Sequence, residues 1–238
     1  MIVSISQPAY LPWLGYFHRI AVSDLHISLN DVDIGHRSFA NRNKVLTPQG
    51  PSWLTVPVLT KGGRSTLISE IAIATDSKWR RKHWRTIEQS YAGAQHFDQY
   101  SDFWEEIFTR EWELLEDLTR ETTAHQLEAL GIDTPLRRSS EMGVGGAKSD
   151  LILNLCSAVD ADVYLSGPLG RDYLDDGKFE ERGIRVEYHD YTHPTYPQAA
   201  DEFVSHLAAI DALFSCGPRT RDVLRSGNAT KAELSAST

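Results

Sequence analysis

The apolar positions of this chain come in short runs, each closed by a polar turn. Residues 2–5 form one such run, which stops at Gln7-Pro8. A loop with Pro12 and Gly15 follows, residues 14–22 read as a helix, and a second apolar run over 25–29 ends at Asn30-Asp31. Strand, loop, helix and strand in so short a stretch match the length of a βαβ unit. In such a unit ligands collect where the first strand ends, because free backbone N–H groups and the helix dipole point outward there. Gln7, Pro8, Tyr10, Trp13 and Asp31 are therefore expected on one rim.

Further along, alternating positions over 41–45 and 52–56 predict a hairpin across Pro48-Gln49-Gly50. Lys61-Gly62-Gly63-Arg64-Ser65 reads as a mobile basic loop ahead of a short strand over 71–74. Asp76 or Ser77 can cap the next helix, in which Trp79, His83, Ile87 and Tyr91 recur four residues apart on one face. Residues 98–130 read as one or two more helices stopped by Gly131. A short strand over 136–140 precedes a glycine-rich loop and a helix over 150–159 capped by Ser149. A buried strand over 162–165 then runs into the turn Ser166-Gly167-Pro168-Leu169-Gly170-Arg171-Asp172-Tyr173. A helix over 178–182, closed by Gly183, leads to a third alternating stretch over 184–191. Pro194 and Pro197 exclude regular structure from 191–198. A helix is expected over 203–214, a shorter one to 224, and a flexible tail from 226. This order predicts an α/β fold: a central, mostly parallel sheet with flanking helices, Rossmann-like or HUP-like in outline, a helical segment over 78–131, and one domain over 1–225.

Composition narrows the function classes. A chain of 238 residues with 41% hydrophobic content supplies a sizeable core. A net charge of −9 argues against nucleic acid and anionic membranes as partners, since both require a basic field. Cys156 and Cys216 form neither a disulfide framework nor a zinc pattern, which points to a reducing compartment. Without a run of about 18 apolar residues or a charged leader, a cytoplasmic protein with no membrane span is expected. The run Gly143-Val144-Gly145-Gly146-Ala147-Lys148-Ser149 invites comparison with a nucleotide P-loop, but Ala147 and Met142 stand where that pattern needs glycine. Lys148 remains free to reach a ligand. Asp31, Asp33 and His36 have no second cluster to complete a coordination set, so no metal is expected.

Seven collinear stretches carry a resemblance: SQPAYLPWLGYF at 6–17, NRN at 41–43, WLTVP at 53–57, WRRKHWRTIEQSY at 79–91, YLSGPLGRDYLD at 164–175, YTHPTYPQ at 191–198 and FSCGP at 214–218. Together they resemble the WbqC-like family, bacterial proteins associated with O-antigen and other specialised biosynthesis. The resemblance implies group transfer, in particular acyl or aminoacyl (glycyl-type) transfer to an amine with formation of an amide. It implies a small-molecule amine acceptor, an acyl carrier protein or CoA thioester as donor, and no cofactor.

Amide formation needs a base of near-neutral pKa, donors for an oxyanion and groups that orient the amine. His83 or His193 can serve as the base and Asp31 as the amine's partner. Gln7, Asn41, Arg42 and Asn43 suit polar or anionic parts of the donor, and the Ser166-Gly167 turn suits an oxyanion. A covalent route would use Cys216 with His193. Tyr10, Trp13, Lys148, Arg171, Tyr173, Tyr196 and Gln198 complete the expected binding set. Gln7, Asp31, Asn41, Arg42, His83, Ser166 and His193 are expected to converge on one cleft. Two other readings remain open: a nucleotide or nucleotide-sugar transferase, and a non-catalytic scaffold of a biosynthetic complex.

Overall fold

A strand covered on both faces reads as a near-continuous apolar run, and β1 (Ile2–Ser6) is such a strand: its first four residues are buried, Ser4 among them with its hydroxyl on His26. The computed structural model describes residues 1–35, 38–59, 66–75 and 78–236. In it β1 leads through α1 (Leu14–Ala21) to β2 (Leu25–Ser28), which pairs parallel to β1 with Ser4 opposite His26. This is the βαβ start that the sequence predicts.

The hairpin follows as β3 (Arg42–Thr47) and β4 (Gly50–Thr55), with Asn43 opposite Leu54, and a smaller pair is made by β5 (Val58–Leu59) and β6 (Ala72–Ile73). Three helices come next, α2 (Lys78–Tyr91), α3 (Phe97–Thr109) and α4 (Leu115–Leu130). The buried residues of α2 are Trp79, His83, Ile87 and Tyr91, the face that the spacing selects. Gly131 ends α4 in the left-handed conformation at φ +60°, as a glycine C-cap does.

The chain then alternates through β7 (Leu136–Arg138), α5 (Lys148–Ser157), β8 (Val163–Ser166), α6 (Asp176–Glu181) and β9 (Arg185–Tyr188). It closes with α7 (Ile210–Cys216), α8 (Thr220–Arg225) and α9 (Lys231–Ala236). Strands β7, β2, β1, β8 and β9 lie in that order in one parallel sheet. From β1 the chain builds outward through β2 and β7, then crosses back to place β8 on the other side of β1. That reversal is the topological switch point of a Rossmann-like sheet.

One face of the sheet (Val3, Ile5, Ile27, Tyr164) packs on Leu155, Cys156 and Phe179. A larger core joins α1 to the hairpin and the helical segment through Tyr10, Phe17, Leu54, Ile87, Trp104 and Phe214.

Several expectations need correction. Residues 203–209 are not helical: the N–H groups of Ala208 and Ala209 bond Lys44 O and Pro12 O, which occupies donors a helix would use. The segment from 226 is not wholly irregular, since α9 sets Leu234 against Ile2, Val22, Val163 and Leu165 and pairs Lys231 with Asp24. Ser149 does not cap α5; its hydroxyl accepts from Asp175 N–H at 2.9 Å, and the helix starts at Lys148. The basic loop at 61–65, the caps Asp76 and Ser77, and His36 lie outside the described residues.

Candidate functional site

The carboxyl ends of three adjacent strands form one rim: Gln7 follows β1, Asp31 lies beyond β2, and Ser166-Gly167 ends β8. Arg19 reaches this rim at the carboxyl end of β8, beside Gly167. Helical side chains tilt toward their own N-terminus, so a residue in the second half of α1 delivers its guanidinium upward to the rim. There a Cβ on residue 167 would strike Arg19 Nη1, so Gly167 is what leaves room for the guanidinium. Tyr16, three residues before Arg19 and so on the same helix face, lies against Ser6. Tyr164 and Tyr173 lie against each other, and Tyr164 against Ser166.

No carboxylate answers Arg19 among the described residues. Its Nε is buried without a hydrogen-bond partner, and the groups that act on its charge are Tyr164, Tyr16 and Tyr173. The histidines around it are uncharged. His26 is fully buried between Ser4 Oγ (2.9 Å from Nδ1) and Ser6 Oγ (3.2 Å from Nε2), and burial together with Arg19 pulls its pKa down to about 3. His18 on α1 meets His189, just past β9, at 2.8 Å between Nδ1 and Nε2. Burial is the first cause in both; the charges of Arg225 on one and Arg19 and His18 on the other add to it, leaving values of about 4 and about 3. Around Arg19 the rim thus gathers hydroxyls and neutral imidazoles.

An aromatic array continues from this pair. Tyr191 lies 5.1 Å from the His18 ring, 5.4 Å edge-on to Trp13 and 6.0 Å from His193. The Trp13 indole covers Gly15, where a side chain would collide with it, and stacks on His193 and the exposed His206. His193 is half-buried, and burial lowers its pKa. Its Nδ1 is 2.9 Å from Pro194 O, a group that only accepts, so Nδ1 carries the proton. The lone pair is therefore on Nε2, which is buried and has no partner.

Other expected residues sit in separate surroundings, and no hydrogen bond, ion pair or ring contact joins any two of the seven residues expected to converge. His83 is 3% exposed, bonded to Tyr10 Oη at 2.8 Å and packed by Trp79 and Phe108; burial takes its pKa to about 3. Asn41 donates to Val56 O, while Asn43 donates to Leu11 O and so braces a left-handed residue at φ +47°. Arg42 lies over the Trp53 ring at 4.2 Å. Asp31 accepts from Ser139 Oγ, next to Asn30, whose amide binds Glu116 and Ser140. Lys148 is exposed at the start of α5, Tyr173 is exposed on the rim, and Arg171 pairs with Asp190 over Tyr188.

Tyr196 and Gln198 serve a buried carboxylate: Asp211 accepts from Tyr91, Tyr196 and Gln198, each at 2.8 Å. We expect Asp211→Asn to cost about 2 kcal/mol, because the amide nitrogen that replaces one acceptor oxygen is a donor facing Tyr91 at one position or Tyr196 and Gln198 at the other; equilibrium urea unfolding measures it. Burial raises the thiol pKa of Cys216, with Asp211 adding to the effect and Arg219 opposing it, the reverse of what activates a nucleophile.

Arg19, His18, His26, His189 and Tyr191 are additions that the sequence reading did not single out. Arg19 and His18 directly follow the quoted stretch at 6–17, and their spacing from Tyr16 and Leu14 was the available signal. A cavity of about 810 Å³ opens at the opposite edge of the sheet, lined by Met1, Asp24, Asp162, Asp176, Glu180 and Arg185 among others. Parallel sheets bind ligands at the carboxyl edge, so that acidic cavity is set apart from the site.

No solved structure matches the chain significantly. The chain is 37% identical over 226 residues to the "Uncharacterized protein Rv1507c" of Mycobacterium tuberculosis (strain ATCC 25618 / H37Rv), covering 94% of this chain and 97% of the relative. The family model of the WbqC-like protein family matches residues 7–223, a span that includes Gln7, Arg19, Gly167 and His193. The chain belongs to the WbqC-like protein family.

Proposed function

We propose that the protein is a biosynthetic group-transfer enzyme that joins an acyl or aminoacyl group to a small amine, forming an amide. The observation that carries this reading is the Nε2 lone pair of His193, uncommitted while Nδ1 is held by Pro194 O. In the step envisaged, the amine nitrogen attacks the donor carbonyl, Nε2 takes the proton the nitrogen sheds, and the thiolate of a CoA or carrier thioester leaves. The rim at Ser166-Gly167 and Arg19 receives the donor. The buried, raised thiol of Cys216 favours direct attack over a covalent intermediate, so Cys216→Ala is expected to leave the transfer rate unchanged. A fall to background would restore the covalent route.

The strand order favours a second reading, transfer from a nucleotide or nucleotide-sugar, because Rossmann-like sheets bind such ligands at this switch point. Incubation of the protein with amine panels and either acyl thioesters or nucleotide-sugars, read by product mass, separates the two. An amide from the thioester arm supports the first reading; a glycosylated or nucleotidylated product only from the other arm overturns it. The described residues include no helix long and apolar enough to cross a membrane.

A further inference from the structure

We propose that Arg19, seated over Gly167 at the switch point, is the anchor of a phosphate subsite. This deepens the reading of the rim as the donor's face and rests on it. Four observations converge. The guanidinium has no carboxylate partner among the described residues, and its Nε is buried and unsatisfied, a costly arrangement unless a ligand completes it. Gly167 leaves, by lacking a Cβ, the space that Nη1 occupies. The location is the carboxyl end of β8, the strand that reverses the sheet order beside β1, the edge at which ligands of parallel sheets dock. The residues around the guanidinium offer hydroxyls: Tyr16 beside Ser6 on one side, Tyr164 and the half-exposed Tyr173 on the other.

The donor set selects the anion. A carboxylate is satisfied by the two parallel bonds of the guanidinium fork. A phosphate presents further oxygens, and the half-exposed Tyr173 hydroxyl is the neighbouring donor open to them. No acidic side chain acts on Arg19, so the guanidinium keeps its charge free for an incoming anion. The neutral imidazoles His26 and His189 add no competing cation beside the guanidinium. Such phosphates come from a CoA-type donor or from a nucleotide diphosphate; the chemistry recognised is the same.

Calorimetric titration of the intact protein with inorganic pyrophosphate, CoA and UDP tests the inference. Saturable binding of at least one is expected, weakened about tenfold or more by Arg19→Met and less by Arg19→Lys, which keeps the charge and loses the fork. Tighter binding of CoA than UDP assigns the phosphate to a thioester donor, and the reverse assigns it to a nucleotide. Removing the charge also raises the His26 and His189 pKa values seen by NMR, which reports on the folded variant independently of ligand. If Arg19→Met does not fold, Gly167→Ala, which displaces the guanidinium, must give the same loss. Absence of binding by all three probes, or unchanged binding in a folded Arg19→Met protein, overturns the subsite. Transfer activity with no oxyanion binding overturns the subsite alone; Arg19-dependent binding with no group transfer overturns the proposed function alone.

Discussion

Lowering the pH from 7 to 5 is expected to remove a large part of the folding free energy of this protein. Four histidines are buried to 9% exposure or less: His18, His26, His83 and His189. Burial depresses their folded pKa values to about 4, about 3, about 3 and about 3, against about 6.5 in the unfolded chain. Below that value the unfolded state binds more protons than the folded one, so their stabilising contribution is complete above it and is lost as the pH falls. Each depressed histidine costs roughly 1.4 kcal/mol per pH unit, hence about 2 kcal/mol at pH 5. Counting the bonded pair His18–His189 as one site gives a loss of about 6 kcal/mol, comparable with a whole domain's 5–15 kcal/mol. Asp211 works against this, because its raised pKa lets the folded state take up a proton as the pH falls. One carboxyl does not offset three imidazole sites. Urea midpoints measured at both pH values check the result; equal midpoints would mean that these rings titrate normally in the folded protein.

Those histidines also show how far the sequence could be read. The spacing Trp79, His83, Ile87, Tyr91 marked a buried face, and a histidine on such a face is more often packed than reactive. The structure places His83 under the hairpin against Tyr10. The parallel sheet was legible because β1 and β8 are largely apolar runs that end in polar turns. The order of strands around β1 was not legible, since it depends on the crossover from β7 through α5 to β8, and no local pattern records a crossover. The stretch 203–209 looked helical by composition but spends its N–H groups on α1's entry loop and on β3, a tertiary demand that outweighs propensity.

The site was half legible for the same reason. Gln7, Asp31 and Ser166 follow strand ends, and strand ends follow from apolar runs, so their common rim could be anticipated. Asn41, Asn43, Tyr196 and Gln198 are polar residues in unusual motifs, yet each spends its side chain on a particular backbone group or on Asp211. Motif density measured how many buried polar groups needed partners, and only part of it pointed at a ligand. Arg19 escaped notice because a single arginine on a short helix looks like a solvated charge until Gly167 and the absence of an acid are seen beside it.

His193→Asn is expected to lower turnover by about 10²- to 10⁴-fold, the usual contribution of a positioned base, while the Michaelis constant for the donor changes little. Asparagine can keep a donor near Pro194 O but supplies no basic nitrogen, so it separates proton transfer from loop structure. The tautomer fixes which nitrogen acts: Nδ1 is spent on Pro194 O, and Nε2 holds the lone pair. Burial, with the neighbouring His206 adding to it, lowers the pKa of the ring, while the bond to Pro194 O opposes the shift. The base is therefore unprotonated at neutral pH, and the acid limb of kcat/KM should lie below the ordinary histidine value of about 6.5. Loss of that limb in the variant, with unfolding midpoints near wild type, would assign the proton transfer to His193. Wild-type turnover in His193→Asn, or a rate loss matched by a collapse of stability, would instead make the ring a packing element between Trp13 and Tyr196 and remove the observation on which amide transfer rests.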